Sequence, residues 1–594
     1  MNKGTLALAG ALALLGPFLV SAATITVNST NDNLTAANGQ CTLREALRNA
    51  NTNSDTTGGD CTAGTGADTI VLPAGTYTLA LPGAGEDGGL TGDLDVLDPL
   101  TITGAGSGST IIDGGALDRV FDVAPNAVTF AMSISGVTIR NGSVAGFGGG
   151  VFVDPFSSAT LTLTDCVISG NTATGFNGGG IAMSAASTLN LTRVTFQTNT
   201  SGFNGGGVSC FGCTATVNAC VFSGNHSTGG ALGGAGFFNG GGTVTITGGT
   251  IGANVSNSPG GGLTNAGFGA ASVQNAELTT NSTTGDGGAI LNDPSIGASS
   301  SFTLATSRVY GNTATGATGF GSTGGTLTLA NNWWGCNAGP QLPPGGNGCD
   351  TVANVAAATP WLVLQGSAVP SSVQIGGSSA VTADVTHNSA SAHIVSGFIP
   401  DGTPLSFLGT LGTAAPSPNT TTNGVTGTVF TAGLIGGAGA VAITLDGQTI
   451  SVPIAVLGPA TITATAGTPQ STPIGSPFPA DLEATVRDSL SNPIAGVTVT
   501  FTAPASGPSG TFPAGNTATT DALGRASVPF VANMIIGSYQ VTANVSPPLA
   551  SPAVFDLDNK ELPIPALGPL GLAALALLIA GIGAALVTAR RIAS

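Results

Sequence analysis

Charge is scarce in this chain of 594 residues: Asp, Glu, Lys and Arg make up 7%, against roughly 25% in an average soluble protein. Lysine is scarcer still. Lys3 and Lys560 stand near the two ends, and the body between them has none. With a net charge of −17, this argues against nucleic acid as a partner, because phosphates need neutralising by Lys and Arg. It argues equally against adhesion to anionic lipid headgroups. Histidine is limited to His226, His387 and His393. No nucleophile triad, phosphate loop or dinucleotide fingerprint stands out. Gly-rich strings such as Asn204-Gly205-Gly206-Gly207 have no helix after them and fit turns instead. What is abundant is glycine, 94 residues, about twice the usual share. Together with Thr, Ser and Asn it favours strands and tight turns over helices. Hydrophobic residues reach 41% and recur in regular patterns, which opposes disorder.

The two ends are apolar. Met1–Ala23 reads as a secretory signal, with Lys3, an apolar run Leu6–Val20, and Ser21-Ala22-Ala23 for cleavage before Thr24. Near the other end, Leu567–Val587 carries no charge, and its length is enough to span a bilayer as a helix. Arg590 and Arg591 follow, which puts the body outside. Ile564, Pro565 and Leu567, with that Arg pair, resemble the IPTL-CTERM sorting tails. Ala566 stands where Thr is usual, and Leu570 where Trp is usual. The resemblance implies an exosortase-type transpeptidase or protease of a Gram-negative envelope as a partner, and membrane attachment through the helix. A plain anchor is the other reading.

After the short alternating strand Thr24–Val27 comes Cys41-Thr42-Leu43-Arg44-Glu45-Ala46-Leu47-Arg48-Asn49-Ala50-Asn51. Leu43, Ala46, Leu47 and Ala50 lie at helical spacing and predict one amphipathic helix. Such a helix suits the open end of a solenoid, with Arg44 and Glu45 as a solvated or capping pair. The segment resembles the CSLREA motif, with Thr42 for Ser, which implies a right-handed parallel β-helix downstream. Ile112-Asp113-Gly114 and Arg119-Val120-Phe121 extend that resemblance. Between the helix and Ile112 lie Glu86, Asp87, Asp93, Asp95 and Asp98. Carboxylates among glycines suit calcium, and Asp-Gly is also ordinary turn chemistry. Calcium is therefore the one cofactor expected as an option.

From residue 101 to about 335 the chain repeats every 27–30 residues. Glycine clusters stand at 148–150, 178–180, 205–207 and 260–262, and Asn171, Asn199, Asn225, Asn254, Asn281 and Asn312 keep step with them. Cys166/Ile168, Val194/Phe196, Cys220/Phe222 and Ala276/Leu278 precede four of these asparagines at fixed offsets and are predicted to point inward. Strands and turns without helices at this period mark a solenoid, here of about eight coils on the order of 40 Å long. The asparagines would form a ladder. Trp333-Trp334 breaks the repeat. Two indoles bury a large area and seal the last coil; sugar stacking is their other use.

Beyond it, Val497–Phe501, Ala526–Val528 and Tyr539–Ala543 alternate like sandwich strands. Asn492–Phe501 and Thr520–Ala526 resemble the invasin/intimin-type bacterial Ig-like domain, which implies a spacer. The segment 366–457 echoes it weakly through Thr403–Phe407 and Ala440–Ile443. The expected fold is thus all-β: a right-handed parallel β-helix, then β-sandwich Ig-like domains, with a C-terminal transmembrane helix. The boundaries are signal 1–23, cap region 24–100, β-helix 101–362, degenerate Ig-like domain 366–457, Ig-like domain of the Big-1 type 458–558 and sorting tail 562–591.

Eight cysteines in an exported chain read first as disulfides. Cys41 with Cys61, and Cys336 with Cys349, are the local candidates. Cys166 and Cys220 sit two coils apart, too far to bond. Cys210, Cys213 and Cys220 lack a clear fourth zinc ligand. For catalysis, Asp165 and Arg193 align one coil apart on the outer face, where β-helix lyases place their acids and bases. A surface ion pair explains them as well. Arg140 and Arg308 stand alone. The function expected is an exported cell-surface protein, non-enzymatic, adhering to a surface glycan or protein through the β-helix, with the Ig-like domains as stalk. A polysaccharide lyase or hydrolase is the alternative, and a structural envelope component the third reading.

Overall fold

The computed structural model describes residues 22–125, 129–294, 299–563 and 568–592. The predicted signal falls almost wholly outside them, as do Ile564, Pro565 and Leu567 of the tail motif.

Parallel strands begin at once. Thr24–Thr26 opens an eleven-stranded sheet (sheet A) that climbs one rung per coil to Thr326–Thr328. Two nine-stranded parallel sheets run beside it, sheet B from Gly75–Thr78 to Arg308–Tyr310 and sheet C from Leu94–Val96 to Phe320–Ser322. Short strands from Ser143–Val144 to Ser282–Thr283 make a six-stranded sheet D. The rungs therefore outnumber the eight coils expected, because the segment read as a cap already supplies the first of them.

Identical positions stack. In sheet A, Leu161 pairs with Leu189, then Ala215, Val244, Ala271 and Phe302. In sheet B, Ile168 is followed by Phe196, Phe222, Ile251, Leu278 and Val309. These side chains are buried in one continuous core, because alternate residues of a strand share a face. Asparagine stacks too. The Nδ2 of Asn171, Asn199, Asn225, Asn254 and Asn281 each donates to the next asparagine's Oδ1 at 2.9–3.0 Å, and Asn312 ends the ladder on Asp350 at 2.6 Å. The glycines have an equally local reason. Gly148, Gly178, Gly205, Gly234 and Gly287 hold φ of 64–73°, and a Cβ there would lie 2.4–2.6 Å from the carbonyl oxygen three residues on. Only glycine meets both demands.

The predicted helix, α1 (Leu43–Thr52), starts on a capping box between Thr42 and Glu45 and ends at Asn53 in the left-handed conformation. Beyond the solenoid the strands turn antiparallel. Two sandwiches follow, the first from Leu362–Val369 to Gln448–Leu457 and the second from Thr461–Ala466 to Ala553–Lys560. The main sheet has the same strand order in both, the second, last, next-to-last and middle strands lying side by side. Each sandwich has its own core.

The expected transmembrane helix is not borne out. Helix α2 (Pro569–Ile592) includes Arg590 and Arg591, yet among the described residues no helix is long and apolar enough to cross a membrane. Of the expected span, Leu567 lies outside the described residues and the helix begins only at Pro569.

Candidate functional site

Sheet C carries the chemistry. Leu94, Val96, Phe121, Val123, Val151 and Val153 point into the core, so the residues between them point out. One outward column runs Asp95, Asp122, Phe152, Ala182, Ser209, Phe238. Its first two members are acids and its third an aromatic ring.

The acids are set in place by α1. Arg44 is wholly buried and does not pair with Glu45. Its Nε and Nη2 donate to Asp32 at 2.7 and 3.1 Å, while Nη1 reaches the Asp93 carbonyl and Nη2 the Gly92 carbonyl, each at 2.8 Å. Two turns along, Asn51 donates to the Asp95 carbonyl at 2.7 Å and accepts from the Leu97 N–H at 2.9 Å. The helix expected as a plug thus also grips the backbone on both sides of Asp93 and Asp95.

Asp93, Asp95 and Asp122 each bring a carboxylate oxygen within 4.8 Å of the other two, and all three residues are buried. Asp95 Oδ2 accepts the Gly89 N–H at 2.7 Å. Arg119 is bonded to Asp122 and lies 3.7 Å from Asp93. Burial pushes the Asp93 carboxyl up to about 8, and the charges of Asp95 and Asp118 add to it. Burial lifts Asp95 to about 7 against the Gly89 hydrogen bond, and Asp122 to about 6 against Arg119. Glu86 and Asp87 line a 430 Å³ depression beside Asp93 and Asp122. Asp98 does not join; it accepts from Asn53 at 2.6 Å. Asp122 was missed in the sequence, although Leu94-Asp95-Val96 and Phe121-Asp122-Val123 repeat one pattern one coil apart.

Next along the column, Arg119 lies 5.0 Å from the centroid of the Phe152 ring. Phe152 stacks on Phe147 at 5.6 Å, Phe147 meets Phe176 at 4.6 Å, and Phe176 meets Phe203 at 6.3 Å. The last three occupy one position in successive turns, each just ahead of a glycine cluster. Phe176 and Phe203 are 45% and 46% exposed. Phe147, Phe152, Pro155, Met183 and Phe211 wall a 260 Å³ depression whose exposed surface is almost entirely apolar.

The other expected residues are placed as follows. Asp165 and Arg193 pair with each other at 2.7 and 2.8 Å, both more than half exposed; the Arg193 hydrogen bond lowers the Asp165 carboxyl. Arg140 and Arg308 do not stand alone: Arg140 pairs with Asp113 one rung back at 2.7 Å, and Arg308 with Glu277 one rung back at 2.8 Å and with Asp446. Trp333 and Trp334 are fully buried, so neither offers a ring to a sugar. Trp334 belongs to the solenoid core and Trp333 to that of the first sandwich, and the Trp333 Nε1–H donates to Asp446 at 2.7 Å. Disulfides join Cys41 to Cys61, Cys210 to Cys213 and Cys336 to Cys349, while Cys166 and Cys220 are buried thiols.

No family model matches the chain, and no curated protein matches it. Among solved structures it is similar to the adhesin InvE of Yersinia pseudotuberculosis, at 18% identity over 33% of this chain and 58% of that one, with a TM-score of 0.21. It is also similar to invasin, described as a bacterial integrin-binding protein, at 20% identity over 35% of this chain and 41% of that one (TM-score 0.22). A third is the Escherichia coli adhesin FdeC, at 21% identity over 36% and 71% (TM-score 0.16). The chain thus spans about half the length of the first two. Scores this low carry no argument about function, which rests on the geometry above.

Proposed function

We propose that this is an exported, non-enzymatic surface protein that holds a neutral glycan on the aromatic face of its solenoid. The observation that carries this reading is the row Phe147, Phe176 and Phe203, stacked rung by rung beside an apolar depression, with Phe176 and Phe203 open to solvent. An isolated exposed ring needs no explanation, but a contiguous apolar patch on a soluble surface does. Flat rings present an apolar body to the CH faces of a sugar. The low charge favours an uncharged chain over an acidic one. The two sandwiches act as the stalk.

Asp165 and Arg193 occupy each other's hydrogen-bonding groups, which leaves neither as a free acid or base. The full chain incubated with immobilised neutral and acidic polysaccharides tests both points. Binding to a neutral polysaccharide is expected, weakened about tenfold or more, 1.4 kcal/mol, in Phe176→Ala/Phe203→Ala. Undiminished binding by that variant would sink the aromatic reading. Calcium-dependent release of unsaturated products, lost in Asp165→Ala, would make the protein a lyase instead.

A further inference from the structure

We propose that Asp93, Asp95 and Asp122 form a binding site for a divalent cation of the calcium class. The three carboxylates converge within 4.8 Å, and the donors are all oxygen. That matches a hard cation and not zinc or copper, which favour nitrogen and sulfur. Convergence alone would not make a site. The second observation is that Asp95, wholly buried, has one oxygen satisfied by Gly89 and the other, Oδ1, without any hydrogen-bond partner; Asp122 Oδ1 is in the same condition. A buried carboxylate oxygen with no donor is costly, and a cation is the group that would satisfy both at once.

Charge points the same way. Three carboxylates face one guanidinium in ion-pair reach, Arg119, with Glu86, Asp87 and Asp118 around the same depression, so acids outnumber the cation and a dication would offset them. The frame is also rigid. Asp95 and Asp122 are paired residues of adjacent parallel strands, and Arg44 holds the backbone carbonyl of Asp93. Calcium takes six to eight oxygens; the depression beside the cluster, where Glu86 and Asp87 stand, leaves room for further carboxylates or water. Calcium is favoured over magnesium because a fixed, uneven cage suits its tolerant geometry better than a strict octahedron.

The test uses the full chain, stripped with EDTA and titrated with calcium chloride by calorimetry, alongside thermal melts. One saturable site is expected, with a Kd on the order of 10⁻⁴–10⁻³ M as in extracellular calcium modules. Asp95→Asn and Asp122→Asn should each weaken it about tenfold or more. In EDTA Asp95→Asn should melt at or above the native temperature, because a carboxamide replaces a buried carboxylate that has no cation in ion-pair contact. No saturable binding by the native chain overturns the site, whether or not the variants fold. Native-like calcium binding by both variants also overturns it, and magnesium binding as tightly as calcium overturns the assignment to the calcium class. The Phe176→Ala/Phe203→Ala protein should bind calcium normally, so failure of the glycan reading leaves this one standing.

Discussion

Two buried asparagines show how the solenoid and the sandwiches differ. Asn225 lies in the solenoid. Its amide donates to Asn254 and to the Phe196 carbonyl, and it accepts from Asn199. Every interior member of the ladder repeats this set of bonds one rung on. Asn559 lies in the second sandwich and is equally buried. Its amide meets the Ser509 carbonyl, Asn533 Oδ1 and the Ile535 carbonyl, a set assembled from unrelated positions. Where coils stack in register, a buried polar group is satisfied by its own copy. Where antiparallel strands face a second sheet, each needs partners of its own. The solenoid can therefore carry polar columns through its interior, while the sandwich cores are built mainly from Val, Ile, Phe, Leu and Ala.

The sharpest way to break this contrast is Asn225→Ala. It takes the acceptor from the Asn199 N–H and amide and the donor from the Phe196 carbonyl, all buried. A loss of about 2–4 kcal/mol is expected, since unmet buried groups cost more than a hydrogen bond contributes. Denaturant unfolding should show it in the solenoid transition and leave the second sandwich unchanged; equal destabilisation of both would end the distinction. A smaller effect is expected where the two architectures meet. Trp333→Phe removes the donor to buried Asp446 but leaves Arg308 in place, a cost of about 1–3 kcal/mol. Calorimetry should find the solenoid and first sandwich unfolding together in the native chain and apart in the variant.

The smallest effect concerns the last step of the ladder, where Asp350 replaces asparagine. Burial raises its carboxyl to about 6, with the Asn312 and Thr318 hydrogen bonds opposing. The folded state therefore keeps the proton over a range where the unfolded chain has lost it. Its contribution is full below about pH 4 and declines as pH rises through about 6. Melting temperatures from pH 4 to 7 should fall more steeply in the native chain than in Asp350→Asn. Parallel profiles would show that Asp350 is ionised throughout.

The solenoid was legible because its period is written in residue types. Phe196 and Phe222 stack, and the asparagines recur at almost the spacing at which they bond. The acidic centre was only half legible. Asp93 and Asp95 are close in sequence, but Asp122 reaches them through register, which is known only once the coil length between them is known. A second asparagine ladder, Asn239–Asn265–Asn292 at 2.7 Å per step, was missed although its spacing is as regular as that of the first. Arg44 was misread for a related reason. A charged residue on a short helix is usually solvated, and nothing local announces that Asp32 and the 89–93 loop close over it.

Trp333 and Trp334 are neighbours in the chain but belong to different cores. A single peptide link thus has an anchor sunk into each body, and Arg308 and Asp446 brace it from the side. Tension applied at the sandwich end would reach the solenoid through a clamped joint and not through a swivel. A rod tugged by flow would then hold its heading, and its aromatic face would keep the same bearing under strain.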